Sequence, residues 1–163
     1  MIRGIHHLAI ATLDLKRTAA FYVDLFGCEV ISDWGWQVGT DVADQITALH
    51  DCSAHSVMLR KGNAYIELFE YTSPEPGPGD PARRVCDPGL THLCFDVTDL
   101  DAEYERLVAA GMTFHCPPQL VAPNVRTTYG RDPDGNVVEL QEVLDETHRI
   151  AVPWLPERGL AGE

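Results

Sequence analysis

The sequence predicts an α+β fold in which two tandem βαβββ modules form a curved, partly open mixed sheet with helices on its outer face. Three observations carry this. Gly4-Ile5-His6-His7-Leu8-Ala9-Ile10 is echoed by Gly89-Leu90-Thr91-His92-Leu93-Cys94-Phe95. In each copy an Asp-Leu pair follows at the same distance, with Asp14 seven residues after His7 and Asp99 seven after His92. Each copy later carries a Glu-Leu in an apolar stretch, Glu67-Leu68 in the first and Glu139-Leu140 in the second. Similarity at a long, fixed spacing marks a duplicated supersecondary unit.

Each element follows from local pattern. Ile5–Ala11 and Leu90–Val97 are short, apolar and bounded by turn residues, so they read as strands. Asp14 and Asp99 suit N-caps, because a carboxylate accepts from the free N–H groups of a first turn. The helices are expected over Leu15–Phe26 and Leu100–Ala110, where apolar residues recur at helical spacing. Gly27 and Gly111 suit the left-handed position that ends a helix. Strands are then expected over Cys28–Trp34, Ser56–Arg60 and Ala64–Tyr71, and over Met112–Cys116, Val125–Arg131 and Val137–Val143. Lys61-Gly62-Asn63 and Asp132-Pro133-Asp134-Gly135-Asn136 are turn clusters between strands. A single domain over 1–145 is expected, with module one at 1–72, a Pro- and Gly-rich linker at 73–88 and module two at 89–145. Gln37–Ala54 is an insertion in the first copy only, and 146–163 reads as a C-terminal tail.

Composition narrows the function. The net charge is −13, from 25 acids against 12 bases, and only Lys16 and Lys61 are lysines. Nucleic acid and anionic membranes need a basic footprint, so neither is an expected partner. No apolar run approaches the roughly 20 residues of a membrane helix, and Met1-Ile2-Arg3-Gly4 lacks the form of a secretory signal. The five cysteines are odd in number and form no Cys-x-x-Cys pair, which argues against a disulfide framework or a thiolate zinc site. They read as buried small hydrophobes in a reducing cytoplasm.

Strand alternation selects the candidate site. Leu8 and Ile10 share one face of the first strand, with His7 on the other. Leu93, Phe95 and Val97 share one face of its copy, with His92 on the other. Ile66 and Leu68 face the helices and Glu67 points away, as Val138 and Leu140 do relative to Glu139. His6, by the same parity, belongs to the helix side with Leu8. Parity thus delivers His7, Glu67, His92 and Glu139 to the helix-free face. Two imidazoles and two carboxylates are good ligands for a divalent first-row metal, and their two charges offset the ion's. A lone His or Glu on a half-buried strand is usually a solvated residue, and the recurrence of the pair is what raises these four above that.

The His7…Asp14-Leu15…Phe21-Tyr22…Leu25-Phe26-Gly27 opening, the Gly89-Leu90-Thr91-His92 strand and the Asp132-Pro133-Asp134-Gly135-Asn136-Val137-Val138-Glu139-Leu140 stretch resemble the vicinal oxygen chelate superfamily. That superfamily includes glyoxalase I, methylmalonyl-CoA epimerase, extradiol dioxygenases and the fosfomycin and bleomycin resistance proteins. The resemblance covers about residues 4–145 and is nearest to glyoxalase-like proteins. It implies metal ligands at His7, Glu67, His92 and Glu139 for one divalent ion among Ni, Zn, Co, Mn and Fe. It favours His7 over His6, which stands one residue off the family's spacing. Glu67 matches glyoxalase I, whereas the epimerases usually carry Gln there. Extradiol dioxygenases use only a triad matching His7, His92 and Glu139, and Tyr129 sits about where they place a tyrosine behind the ligands.

The first expectation is therefore a metal-dependent isomerase, epimerase or lyase moving a proton next to a carbonyl, with Glu67 or Glu139 as base. The second is an Fe(II) ring-cleaving dioxygenase with Tyr129 as a catalytic group. The third is a non-catalytic small-molecule binder. Trp34, Trp36, Tyr65, Phe69, Tyr71 and Arg126 are expected to line the substrate pocket. The resemblance also implies a homodimer, with the site either within one chain or shared between two.

Overall fold

The computed structural model describes residues 1–152; the part of the expected tail at 153–163 lies outside the described residues. The chain divides into two compact units, the first spanning Met1–Gly79 and the second beginning at Asp80. The fold is α+β, with one open mixed sheet in each unit.

In the first unit, β1 (His7–Ala11) leads into α1 (Leu15–Ala20), then β2 (Glu29–Trp36), α2 (Asp41–Thr47), β3 (Ser53–Lys61) and β4 (Ala64–Ser73). The sheet order is β1-β4-β3-β2. β1 lies parallel to β4, and the other pairs are antiparallel. The second unit repeats the scheme with β5 (His92–Asp96), α3 (Leu100–Ala109), β6 (Thr113–Phe114), β7 (Gln119–Ala122), β8 (Val125–Arg131) and β9 (Val137–Val143). Its order is β5-β9-β8-β6, with β7 also on β8, and β5 lies parallel to β9.

The helix starts show why each Asp stands where it does. Asp14 accepts from the Arg17 N–H at 2.9 Å, and Asp99 accepts from the Ala102 N–H at 3.3 Å. A second carboxylate, sent from the last strand of each unit, reaches the same turn. Glu70 accepts from Leu15 N–H in the first unit, and Glu142 accepts from Asp99 and Leu100 N–H in the second. Glu67 and Glu70, like Glu139 and Glu142, are an odd number of residues apart. One member therefore faces the open side while the other caps the helix.

Under the helices lies the core. Leu15, Tyr22, Phe26, Val57, Leu59, Ile66 and Leu68 are buried in the first unit, and Leu100, Leu107, Met112, Val138 and Leu140 in the second. Gly27 and Gly111 adopt φ of 62° and 93°, as a left-handed helix end requires.

Four local expectations need correction. The helix expected over Leu15–Phe26 is α-helical only to Ala20 and continues as a π-helical turn over Phe21–Leu25. That wider turn carries Tyr22, whose side chain is fully buried. The insertion holds α2, which is short and has no buried residue, so no apolar stripe announced it. The strand expected over Met112–Cys116 shrinks to two residues, because Pro117 and Pro118 supply no ladder N–H. Beyond them β7 pairs with β8, although all four of its residues are exposed and alternation is absent.

Gly135 shows the strain of the turn before β9. Its φ is +86°, and a Cβ placed there would lie 2.3 Å from the Pro81 Cα. Gly62 has φ +54° but nothing within 4 Å of such a Cβ. Gly135→Ala should therefore cost about 2–4 kcal/mol in urea unfolding, against about 1 kcal/mol for Gly62→Ala. Equal losses would show that the backbone angle alone matters.

Candidate metal centre

The parallel pairing in each unit sets the geometry. In the first, β1 and β4 run side by side with His7 opposite Tyr65 and Ala9 opposite Glu67. His7, Tyr65 and Glu67 therefore share the face turned away from α1. His7 Nε2 lies 3.2 Å from Glu67 Oε2. In the second, His92 stands opposite Val137 and Cys94 opposite Glu139. His92 Nε2 lies 2.9 Å from Glu139 Oε2. The two pairs are built alike, with side-chain exposures of 37% and 10% in the first and 30% and 10% in the second.

Each imidazole is also held from behind. His7 Nδ1 lies 2.9 Å from His6 Nδ1, and His92 Nδ1 lies 2.9 Å from Thr91 Oγ1. A proton on Nδ1, donated to that neighbour, leaves Nε2 with a lone pair facing the carboxylate oxygen. Metal bonds of about 2.0–2.2 Å place two ligand atoms at right angles about 3 Å apart. The separations of 3.2 Å and 2.9 Å match two adjacent ligands of one ion, so donor type and spacing both fit a divalent cation. Among the described residues, no group of three or more His, Cys, Asp or Glu gathers at one point; the donors stand as two pairs. His6 departs from its expected helix-side position. Its ring stacks on Tyr65, with centroids 5.2 Å apart and planes within 7°, because it precedes β1 and escapes strand parity.

Around the first pair the face is aromatic. Trp34, Trp36, Phe69 and Tyr71 share it with Glu67 through the registers Trp34–Ser56–Phe69 and Trp36–Ala54–Tyr71. Trp36 packs 6.0 Å from both Phe69 and Tyr71, and 5.4 Å from Trp34. Its indole N–H points to Cys52 Sγ at 3.1 Å, which ties it to the insertion. Burial, then Cys52 and Glu67, pushes the Tyr71 phenol upward.

Around the second pair the face is polar. Tyr129 stands directly across from Glu139, and its ring centroid is 5.0 Å from that of His92. Burial raises its phenol, with the Glu139 and Cys94 charges adding to the effect. Cys28 and Cys52 are buried as expected, but Cys86, Cys94 and Cys116 are exposed. Partial desolvation of Cys94, with the Glu139 carboxylate beside it, still pushes its thiol up to about 12. A thiol held so high is no nucleophile at neutral pH.

Arg126, expected in the substrate pocket, stands elsewhere. It lies one position from Thr127, so it occupies the α3 side of β8. There its guanidinium forks onto Asp101 at 2.7 and 2.9 Å and reaches Glu142 at 3.5 Å. The positive charge serves the start of α3, not the open face. Sequence reasoning missed two further groups, Ser56 and Thr127. The Ser56 hydroxyl donates to Glu67 Oε1 at 3.3 Å, and the Thr127 hydroxyl lies 2.6 Å from Glu139 Oε1. Both sit on the strand next to their glutamate, and register alone could have found them.

Known proteins match this architecture. The model of the Glyoxalase/Bleomycin resistance protein/Dioxygenase superfamily matches residues 4–140. Uncharacterized protein YaeR of Escherichia coli (strain K12) is 32% identical over 143 residues, covering 86% of this chain and 97% of its own. Among solved structures, a glyoxalase family protein from Bacillus cereus superposes with a TM-score of 0.79 at 20% identity, covering 89% of this chain and 97% of its own. The fosfomycin resistance protein FosX from Listeria monocytogenes, solved with Mn(II) and sulfate, has a TM-score of 0.57 at 22% identity and covers 87% of this chain and 93% of its own. No helix among the described residues is long and apolar enough to cross a membrane. The duplicated βαβββ units and the match over residues 4–140 make this chain a member of the Glyoxalase/Bleomycin resistance protein/Dioxygenase superfamily.

Proposed function

We propose that the protein is a metal-dependent enzyme that moves a proton next to a carbonyl on a small oxygenated substrate, as an isomerase, epimerase or lyase. The observation that carries this reading is the duplicate His–Glu pair, with Nε2 and Oε2 at 3.2 Å in one unit and 2.9 Å in the other. In this reading His7, Glu67, His92 and Glu139 hold one divalent cation. A cation held by these residues supplies Lewis acidity to a substrate carbonyl. The Mn(II) in FosX supports metal use in this fold.

The chain's own groups do the rest. Glu67 and Glu139 are 7% and 8% exposed, so little water competes for either carboxylate. One of them takes the proton from the carbon beside the carbonyl and returns it to the neighbouring position. Glu67 is the stronger candidate for the base, because it is the ligand that the dioxygenase triad does without. Trp34, Trp36, Phe69 and Tyr71, with Tyr65 beside His7, offer the substrate's carbon skeleton an apolar wall.

Tyr129 favours a second reading, an Fe(II) ring-cleaving dioxygenase that uses His7, His92 and Glu139. Its ring stands 5.0 Å from His92, and its raised phenol stays protonated and able to donate at neutral pH. The two readings separate on anaerobically purified protein. Nickel, zinc or cobalt content without oxygen uptake is expected, and Glu67→Gln should lower turnover by at least about 10²-fold while retaining metal. Iron with catechol-dependent oxygen consumption would replace the first reading with the second.

One ion on both pairs is completed either within one chain or between the two copies of a homodimer. Mixing His7→Ala with His92→Ala protein distinguishes these. Recovery of about a quarter of the sites means a shared site, and no recovery means a site within one chain.

The Tyr129 shift has its own test. An unfolded tyrosine ionises near pH 10, and the native phenol ionises later, so stability falls as pH rises through 10. The alkaline difference spectrum of wild type minus Tyr129→Phe should show a transition above pH 10, and Glu139→Gln should bring it down. An unchanged transition would remove Glu139 as a cause.

A further inference from the structure

The two glutamates share more than their partnership with histidine. Ser56 stands across β3–β4 from Phe69, and Thr127 stands across β8–β9 from Gln141. Phe69 and Gln141 each lie two residues beyond the glutamate, so Ser56 and Thr127 are equivalent positions of the repeat. Each sends its hydroxyl to the same oxygen of its neighbour. Ser56 Oγ donates to Glu67 Oε1 at 3.3 Å, and Thr127 Oγ1 is 2.6 Å from Glu139 Oε1. The other oxygen, Oε2, is the one that faces His7 or His92.

Chemistry explains the choice of residue. Ser56 is fully buried, so its hydroxyl needs an acceptor inside the protein, and the Glu67 carboxylate is that acceptor. Thr127 also lies 2.9 Å from the Leu140 carbonyl oxygen. One hydroxyl proton serves one of these acceptors best, and the charged, shorter contact is the stronger. A donor on Oε1 stops the carboxylate from turning about its terminal bond and from presenting both oxygens at once. It leaves Oε2 as the oxygen turned to the imidazole.

We infer that Ser56 and Thr127 are a duplicated pair of positioning residues that hold Glu67 and Glu139 in one-oxygen presentation beside His7 and His92. The inference rests on the metal reading above, and it adds residues that neither the repeat motif nor the ligand set contains. They touch no substrate, so their effect is on affinity and coordination geometry.

The test titrates full-length protein with Co2+ alone under argon, following the visible absorption of the bound ion, with circular dichroism confirming the fold. Thr127→Val and Ser56→Ala should each weaken Co2+ binding by about tenfold or more and shift the spectrum. Thr127→Ser keeps the hydroxyl and should stay within about threefold of wild type. Wild-type affinity in both Thr127→Val and Ser56→Ala, while His92→Ala fails to bind, would overturn the proposal and leave the metal reading intact. So would a Thr127→Ser protein as weak as Thr127→Val. Undiminished binding by His92→Ala would overturn the metal reading, and this proposal with it.

Discussion

The parallel pairing of the first and last strand of each unit is the constraint on which the rest depends. β1 beside β4, and β5 beside β9, bring a histidine from the start of a module against a glutamate from its end. A parallel pair needs a crossover, and here the crossover is built of helical turns and antiparallel strands. The chain between His7 and Glu67, and between His92 and Glu139, therefore encodes one contact. A one-residue slip of either pair would turn one donor into the apolar core.

The same alternation explains how an acidic chain tolerates carboxylates at the edge of its core. In each last strand two glutamates are placed three apart, and each is satisfied on its own side. Glu70 and Glu142 accept from helix N–H groups, where the helix dipole welcomes negative charge. Glu67 and Glu139 accept from a hydroxyl and face an imidazole. Among the described residues, no buried side-chain nitrogen or oxygen lacks a hydrogen-bond partner. Parity alone thus divides the acids between capping a helix and facing a histidine.

Duplication did not keep the two halves alike around these donors. Opposite Glu67 stands Met58, whereas opposite Glu139 stands Tyr129. The first unit gathers Trp34, Trp36, Phe69 and Tyr71, with Trp36 tied to Cys52 of the insertion. The second gathers Tyr129, Thr127 and Cys94 around Glu139. The face around the first glutamate is thus apolar, and the face around the second is polar.

Much of this was legible in the residues. The echo of Gly4–Ile10 in Gly89–Phe95, the capping aspartates and the apolar alternation around Glu67 and Glu139 determined the module topology and the face on which His7 and His92 stand. Those features are local, and local periodicity is a direct consequence of backbone geometry. What tertiary structure decided lies across strands. Arg126 is expected in the pocket, yet its single step from Thr127 puts it with Asp101 and Glu142 at α3. His6 stacks on Tyr65 because it stands outside β1, where alternation no longer governs it. Ser56 and Thr127 became visible only through register, since the hydroxyl and the carboxylate it holds are brought together by ladder pairing between strands, and a linear pattern does not state which residue will lie across from which.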